Sequence, residues 1–254
     1  TRKLFSSDAA LRSRSFFCAA RCRSGPSERT RSRFQTSSVS LFLKDRIMTI
    51  LTLLDSIGKR EGIASGLLEL FNEADIRRIL VVVAHPDDAE YGTSAAVAHW
   101  TSRGIEVGYL LLTAGEAGMK RPPEEAGPLR AVEQENACRI VGVNHLTILD
   151  FPDGMLEYGL PLRRAIAREI RRFRPDAVVS GSGELHVAWG IDHADHRAAG
   201  LATIDAVRDA DNRWVFRDLH REGLDPWGTT WLLLTGTRPT HYVELAAEAE
   251  RRGI

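Results

Sequence analysis

Two short segments of the chain concentrate histidine and aspartate, and both have the residue types that bind metal ions. They are AHPDDAEYG, residues 84–92, and DHADH, residues 192–196. The side chains in question are His85, Asp87, Asp88, His193, Asp195 and His196. One histidine and one carboxylate from the first segment, with one histidine from the second, would give three protein ligands. Such a set leaves a coordination position free for water, which is typical of catalytic zinc sites and is also compatible with non-haem Fe(II).

The first segment directly follows ILVVVA, residues 79–84, a run that predicts a strand buried on both faces of a sheet. A dinucleotide-binding strand would instead turn at a glycine-rich loop whose amides bind phosphate, whereas carboxylates repel phosphate. The second segment follows another predicted strand, residues 176–180. Taken alone, each segment also fits an ordinary structural role, since Asp88 could cap the helix that follows it.

Strand and helix patterns alternate along the rest of the chain. The predicted strands are residues 79–84, 105–113, 145–150, 176–180, 229–236 and 241–245, and a helix is predicted over much of 50–78. This alternation predicts an α/β fold, a Rossmann-like open and mostly parallel sheet with helices on both faces. Because ligands bind at the carboxyl ends of the strands in such sheets, we expect the metal site there.

The first 47 residues differ in composition from the remainder. They hold eleven Lys and Arg against three acids, which leaves 23 basic and 31 acidic residues after them. The mildly acidic remainder does not favour a nucleic-acid partner. We expect residues 1–47 to be a disordered basic leader outside the fold, removable without effect, and residues 48–254 to form a single domain. An artefact of upstream translation, an organellar transit peptide and a nucleic-acid-binding arm all remain open as origins of the leader.

Cysteine content and hydropathy favour a cytoplasmic protein. Cys138 is the one cysteine after residue 47, which argues against a disulfide framework and for a reducing compartment. No apolar run approaches the ~20 residues of a membrane span. A homo-oligomer is compatible with the composition.

The two metal-binding segments together resemble the LmbE/PIG-L family of metal-dependent N-deacetylases. The family has A-H-P-D-D after its first strand and H-P-D-H after a later one, and here these positions read AHPDD (84–88) and HADH (193–196). LRAVEQENA (129–137) matches the family's Arg-x-x-Glu helix, and LDFPDGML (149–156) matches its Asp-Gly turn. The resemblance implies a zinc-dependent amidohydrolase that removes an acetyl group from a small N-acetylated amino-sugar conjugate. A thiol-conjugate amidase of the same family and a non-catalytic binding module are the alternatives.

The resemblance also implies which residues bind the metal. At the matching positions His85, Asp88 and His196 become the ligands of one Zn²⁺ ion per chain, with Fe²⁺ as the alternative ion. Asp87 becomes the general base beside the metal.

Further roles follow from the same resemblance. His193, as a protonated imidazole, would stabilise the oxyanion, and Asp195 would orient His193 and favour its charged form. Arg130 would bind substrate, with a charge on the surface of a helix as the alternative interpretation of that arginine.

The sequence departs from the family pattern at two places. Ala194 replaces the proline of the second motif, and the chain ends at HYVELAAEAERRGI, where family members usually continue through a further helix. This predicts a truncated or divergent C-terminus. We expect the loops at 114–128 and 181–192 to set specificity, with Trp189 a candidate to stack on a sugar ring.

Overall fold

An eight-stranded sheet organises the part of the chain that a computed structural model describes, residues 14–22, 68–187, 190–236 and 238–253. Its strands are β1 Arg14–Arg21, β2 Glu69–Leu70, β3 Arg78–Val83, β4 Glu106–Leu111, β5 His145–Ile148, β6 Ala177–Gly181, β9 Trp231–Thr235 and β10 His241–Glu244. The spatial order is β2-β10-β1-β9-β6-β3-β4-β5. Two short strands, β7 His186–Val187 and β8 Gly190–Ile191, form a separate antiparallel pair.

Seven helices accompany these strands within the described ranges. They are α1 Asp88–Gly92, α2 Ser94–Ser102, α3 Pro123–Val141, α4 Leu160–Phe173, α5 Ala194–Asp211, α6 Arg217–Arg221 and α7 Ala247–Arg252. Among the described residues, no helix has the length and apolar character that crossing a membrane requires.

The apolar run of β3 is explained by burial on both faces of the sheet. Ile79 and Val81 belong to a core cluster that includes Trp100 of α2, while Leu80 and Val82 belong to a second cluster with α4 and α5. Successive strand side chains point to opposite faces, so a strand covered on both sides must be apolar throughout. Strands β9, β6, β3, β4 and β5 are all parallel neighbours. The predicted α/β fold with a mostly parallel open sheet is confirmed.

The direction in which the chain adds strands reverses at β3. From β3 the chain adds β4 and then β5 on one side, and it then returns to place β6 and later β9 on the other side. Such a reversal leaves a crevice at the carboxyl ends of the two strands that flank it. Residues 84–88 leave β3 at this crevice, and the segment containing 192–196 follows β6.

The expectation that the basic leader lies outside the fold is wrong for Arg14–Arg21. These residues form β1, which pairs antiparallel with β10 through residues 14–17 and with β9 through residues 18–21. Phe17 is 1% exposed and its ring lies 5.9 Å from that of Trp100. The segment therefore covers two strand edges and contributes to the core, which its charge-rich composition concealed. The predicted boundary at residues 47 and 48 lies outside the described residues.

Two other boundaries differ from the sequence expectations. The helix predicted over 50–78 lies mostly outside the described residues, and its described end holds β2 and a turn instead. Helix α3 begins at Pro123, inside the predicted loop 114–128, because a proline at the first helical position lacks only an amide that needs no partner there.

We expect Phe17→Ala to lower the free energy of unfolding by ~3–5 kcal/mol, as large-to-small changes at buried aromatic residues do. Phe16→Ala is the matched control, since Phe16 is only partly buried in the same strand. Denaturant unfolding followed by circular dichroism measures both. No loss in Phe17→Ala would show that β1 is not part of the folded core, and an equal loss in Phe16→Ala would show that the effect is not specific to the buried ring.

Candidate metal centre

Two histidines and one aspartate from the two predicted segments meet at the crevice beside β3 and β6. One ligand atom each from His85, Asp88 and His196 lies within 4.8 Å of the others. Asp88 Oδ1 is 3.1 Å from His196 Nε2, and Asp88 Oδ2 is 3.5 Å from His85 Nδ1. Asp88 Oδ2 also accepts a hydrogen bond from the His85 amide at 2.9 Å. The Asp88 side chain thus points into the crevice and does not cap α1.

The second ring nitrogen of each histidine faces another carboxylate. His85 Nε2 lies 3.0 Å from Asp153 Oδ1 and 3.1 Å from Asp195 Oδ2, and His196 Nδ1 lies 2.9 Å from Asp192 Oδ1. A carboxylate on the far nitrogen fixes the proton there and leaves the near nitrogen available to a cation. The donor set therefore fits a divalent metal ion held by His85 Nδ1, Asp88 and His196 Nε2.

Electrostatic interactions keep this cluster negatively charged. Burial alone would raise the pKa of Asp88, but hydrogen bonds with His196 and His85 hold it well below its usual range. The hydrogen bond with Asp88 is the main reason that the pKa of His196 rises to about 9, with Asp192 adding to the effect. Burial lowers the pKa of His85, and its contacts with aspartates more than offset this and raise it. Four carboxylates surround two imidazoles, an excess of negative charge that favours a bound cation.

Asp87 lies next to the metal-binding group but has a different partner. Its Oδ2 accepts a hydrogen bond from Arg130 Nη2 at 2.8 Å, and its side chain is 54% exposed against 17% for Asp88. Burial raises the pKa of Asp87, and Arg130 opposes that shift. Asp87 is the half-exposed carboxylate at the mouth of the centre.

Arg130 is not a surface charge, because its side chain is only 11% exposed. Besides Asp87 it donates to the carbonyl of Pro86 at 2.6 Å. A Cβ at Gly118 would lie 2.5 Å from Arg130 Nη1, so a side chain at that position of the loop after β4 would have to displace the guanidinium. The guanidinium is therefore enclosed between this loop and the Pro86–Asp87 peptide.

The orientation of His193 by the Asp195 carboxylate stays a prediction, although a carboxylate oxygen of Asp195 and a ring nitrogen of His193 lie within 4.8 Å of each other. The Asp195 carboxylate is fully buried and bonds with His85, while His193 caps α5 by accepting the Asp195 amide on its Nδ1 at 3.3 Å. An accepting Nδ1 places the proton of the neutral ring on Nε2. The ring still lies 5.4–5.5 Å from those of His85 and His196.

Sequence reasoning missed three polar residues that complete the site. Asp153 lies in the FPDG turn, for which the family resemblance implies a motif but no role, and Asp192 precedes His196 by four residues. Gln134 follows Arg130 by four residues and is 2% exposed. For Asp192 and Gln134 the sequence did offer a signal, since each lies four residues from another site residue, His196 and Arg130 respectively. Trp189 lies outside the described residues.

Fold and site together define an α/β protein with a two-histidine, one-carboxylate centre at the sheet crevice. The family model described as PIG-L, GlcNAc-PI de-N-acetylase, matches residues 80–207, a span that contains every residue of this centre. The chain belongs to this family.

Curated relatives of the chain are named as deacetylases. It is 32% identical over 182 residues to diacetylchitobiose deacetylase of Thermococcus kodakarensis, covering 70% of this chain and 66% of the relative. It is also 32% identical over 139 residues to a probable N-acetyl-alpha-D-glucosaminyl L-malate deacetylase 2 of Bacillus anthracis, covering 52% of this chain and 59% of the relative. The matched region thus spans 66% and 59% of the length of these two relatives, which is less than two thirds.

A solved structure shares the fold. N,N'-diacetylchitobiose deacetylase from Pyrococcus horikoshii superposes with a TM-score of 0.67 over 87% of this chain and 80% of the other, at 21% identity. At that identity the likeness supports the fold assignment alone.

We expect metal affinity to depend most on the ligand residues and less on the carboxylates that contact the far nitrogens of the ligand histidines. His196→Ala should abolish stoichiometric binding of Zn²⁺, and Asp192→Asn should weaken it ~10–100-fold, because loss of a carboxylate behind a ligand histidine costs about that much. Isothermal titration calorimetry with Zn²⁺, checked by elemental analysis, measures both. His220→Ala is the control, since His220 pairs with Asp225 in a different part of the chain. If all three variants bind zinc as the wild type does, the centre is assigned to the wrong residues.

Proposed function

We propose that the protein is a metal-dependent amidohydrolase that removes the acetyl group from an N-acetylated amino sugar or its conjugate. The observation that carries the proposal is the convergence of His85, Asp88 and His196 beside Asp87, inside the region that matches the de-N-acetylase family model. The names of the curated relatives support the same reaction and an N-acetylglucosamine-type substrate.

One divalent ion per chain, Zn²⁺ or alternatively Fe²⁺, would be held by His85, Asp88 and His196. Such an ion lowers the pKa of a bound water and polarises a carbonyl oxygen. The nitrogen and oxygen donors suit Zn²⁺ and Fe²⁺ equally well in kind. Asp195 and Asp153, on the far nitrogen of His85, would orient that ring toward the ion.

Asp87 is the carboxylate best suited to move the proton. It is half-exposed at the mouth of the centre, its pKa is raised by burial, and it belongs to the same turn as the ligand Asp88. It would accept a proton from the attacking water and return it to the amine nitrogen as the C–N bond breaks. The products are acetate and the free amine, so the reaction balances with one water consumed.

His193 and Arg130 would each assist this reaction in a different way. The His193 ring, with its Nδ1 engaged by the Asp195 amide, presents Nε2–H as a donor to the oxyanion of the tetrahedral intermediate. Arg130 donates to the Asp87 carboxylate through Nη2, and this contact supports a role in positioning Asp87. Substrate binding would be a second role of the same arginine.

The reaction is tested by measuring amine and acetate release from diacetylchitobiose and from N-acetylglucosaminyl malate. We expect zinc-loaded protein to release both products in equal amounts and chelator-treated protein to release neither. Glucosamine conjugates without the acetyl group serve as blanks. Folded protein that binds zinc and turns over neither substrate would favour a binding module, and turnover of thiol conjugates alone would favour the amidase alternative.

Asp87→Asn and Asp88→Asn separate the proposed base from the proposed ligand. We expect Asp87→Asn to keep the metal and lose ~10²–10⁴-fold in kcat, which is the usual contribution of a general base. Asp88→Asn should lose metal affinity, and excess zinc should partly restore its activity. Elemental analysis and kinetics on the same preparations check this. Metal loss in Asp87→Asn, with metal retention and dead chemistry in Asp88→Asn, would show that the roles are exchanged.

A further inference from the structure

The backbone of Asp87 adopts a conformation that L-residues rarely take. Its φ is 82°, in the left-handed region, and Asp87 is one of three non-glycine residues with positive φ among those described. Such a conformation costs of order 1–3 kcal/mol and persists when surrounding groups hold it. Aspartate tolerates it better than most residues. The contacts that hold this turn therefore decide where the Asp87 carboxylate points.

Two side chains of α3 hold the single peptide group between Pro86 and Asp87 from both of its polar ends. Arg130 donates to the carbonyl oxygen at 2.6 Å, and Gln134 Oε1 accepts from the amide at 3.3 Å. The carbonyl and amide of a trans peptide point in opposite directions, so one donor and one acceptor are needed on either side of it. Residues four apart on a helix are neighbours on one face, and this spacing lets them straddle the peptide.

The orientation of the Gln134 amide is fixed by a third residue. Its Nε2 donates to Glu90 Oε1 at 2.9 Å, so its oxygen must face the Asp87 amide. The Gln134 side chain is buried, at 2% exposure. Through these two hydrogen bonds, Gln134 links helix α3 to both ends of the segment 87–90.

We propose that Gln134 is a positioning residue that, with Arg130, holds the Pro86–Asp87 peptide in its left-handed turn and so aims the Asp87 carboxylate. The proposal rests on the proposed function for its catalytic consequence, while its structural part stands on the hydrogen bonds alone. The hydrogen bonds of the Gln134 side chain go to the Asp87 amide, Glu90 and Cys138, so we expect its loss to affect the rate through Asp87.

Gln134→Met removes both the hydrogen-bond acceptor and the hydrogen-bond donor while keeping a side chain of similar length. We expect kcat to fall ~10–100-fold, in line with small displacements of a catalytic group, while KM and zinc stoichiometry stay unchanged. The double variant Gln134→Glu/Glu90→Gln keeps an acceptor for the Asp87 amide and reverses the direction of the hydrogen bond between positions 134 and 90. We therefore expect it to recover most of the lost kcat. Glu135→Gln, an exposed neighbour on α3, is the control that should change nothing.

Amide hydrogen exchange tests the structural part without any assay of activity. We expect faster exchange at the Asp87 amide in Gln134→Met, with β3 unchanged as the control for general loss of stability. Faster exchange in a protein that never releases amine would sustain this positioning role and reject the proposed function. Unchanged kcat and unchanged Asp87 exchange in Gln134→Met would overturn it, as would a raised KM with normal kcat. If Gln134→Met fails to fold, the exchanged pair decides: wild-type exchange at Asp87 supports the role and faster exchange overturns it.

Discussion

The carboxylate of Asp88 is the link on which the candidate centre depends. One of its oxygens faces His85 and the other faces His196, so it joins the segment after β3 to the segment after β6. Asp88 keeps its negative charge because both histidines interact with the ionised form. The parallel sheet, whose strand order reverses between β3 and β6, is what brings these distant segments to one crevice.

A fully buried carboxylate ties a third loop to this link. Asp195 accepts hydrogen bonds from the amides of Gly154 and Leu156 at 2.7 and 3.1 Å, in addition to its contact with His85. A buried charge is costly unless it is paired and hydrogen-bonded, and here both conditions are met. The turn after β5 is thereby anchored beside the centre, which also places Asp153 on His85.

The different positions of the two adjacent aspartate side chains follow from the turn between β3 and α1. In a continuing strand, neighbouring side chains would point to opposite faces. The left-handed conformation of Asp87 breaks that alternation, so Asp88 enters the cluster while Asp87 stays at the mouth, paired with Arg130. Rare backbone conformations of this kind concentrate at functional sites, where the surroundings hold them.

The sequence by itself determined the fold class, because strands buried on both faces of a parallel sheet leave long apolar runs. ILVVV indicated β3. The resemblance of the two histidine segments to the LmbE/PIG-L motifs implied His85, Asp88 and His196 as ligands, and ligand atoms of these three residues lie close together. Only the tertiary structure decided that the Asp195 carboxylate contacts His85. It also decided that Gln134 and Arg130 hydrogen-bond to the Pro86–Asp87 peptide. Finally, it decided that Arg14–Arg21 is a strand of the sheet. These contacts join residues remote in sequence, and their geometry depends on helix facing and strand pairing, which composition and spacing do not encode.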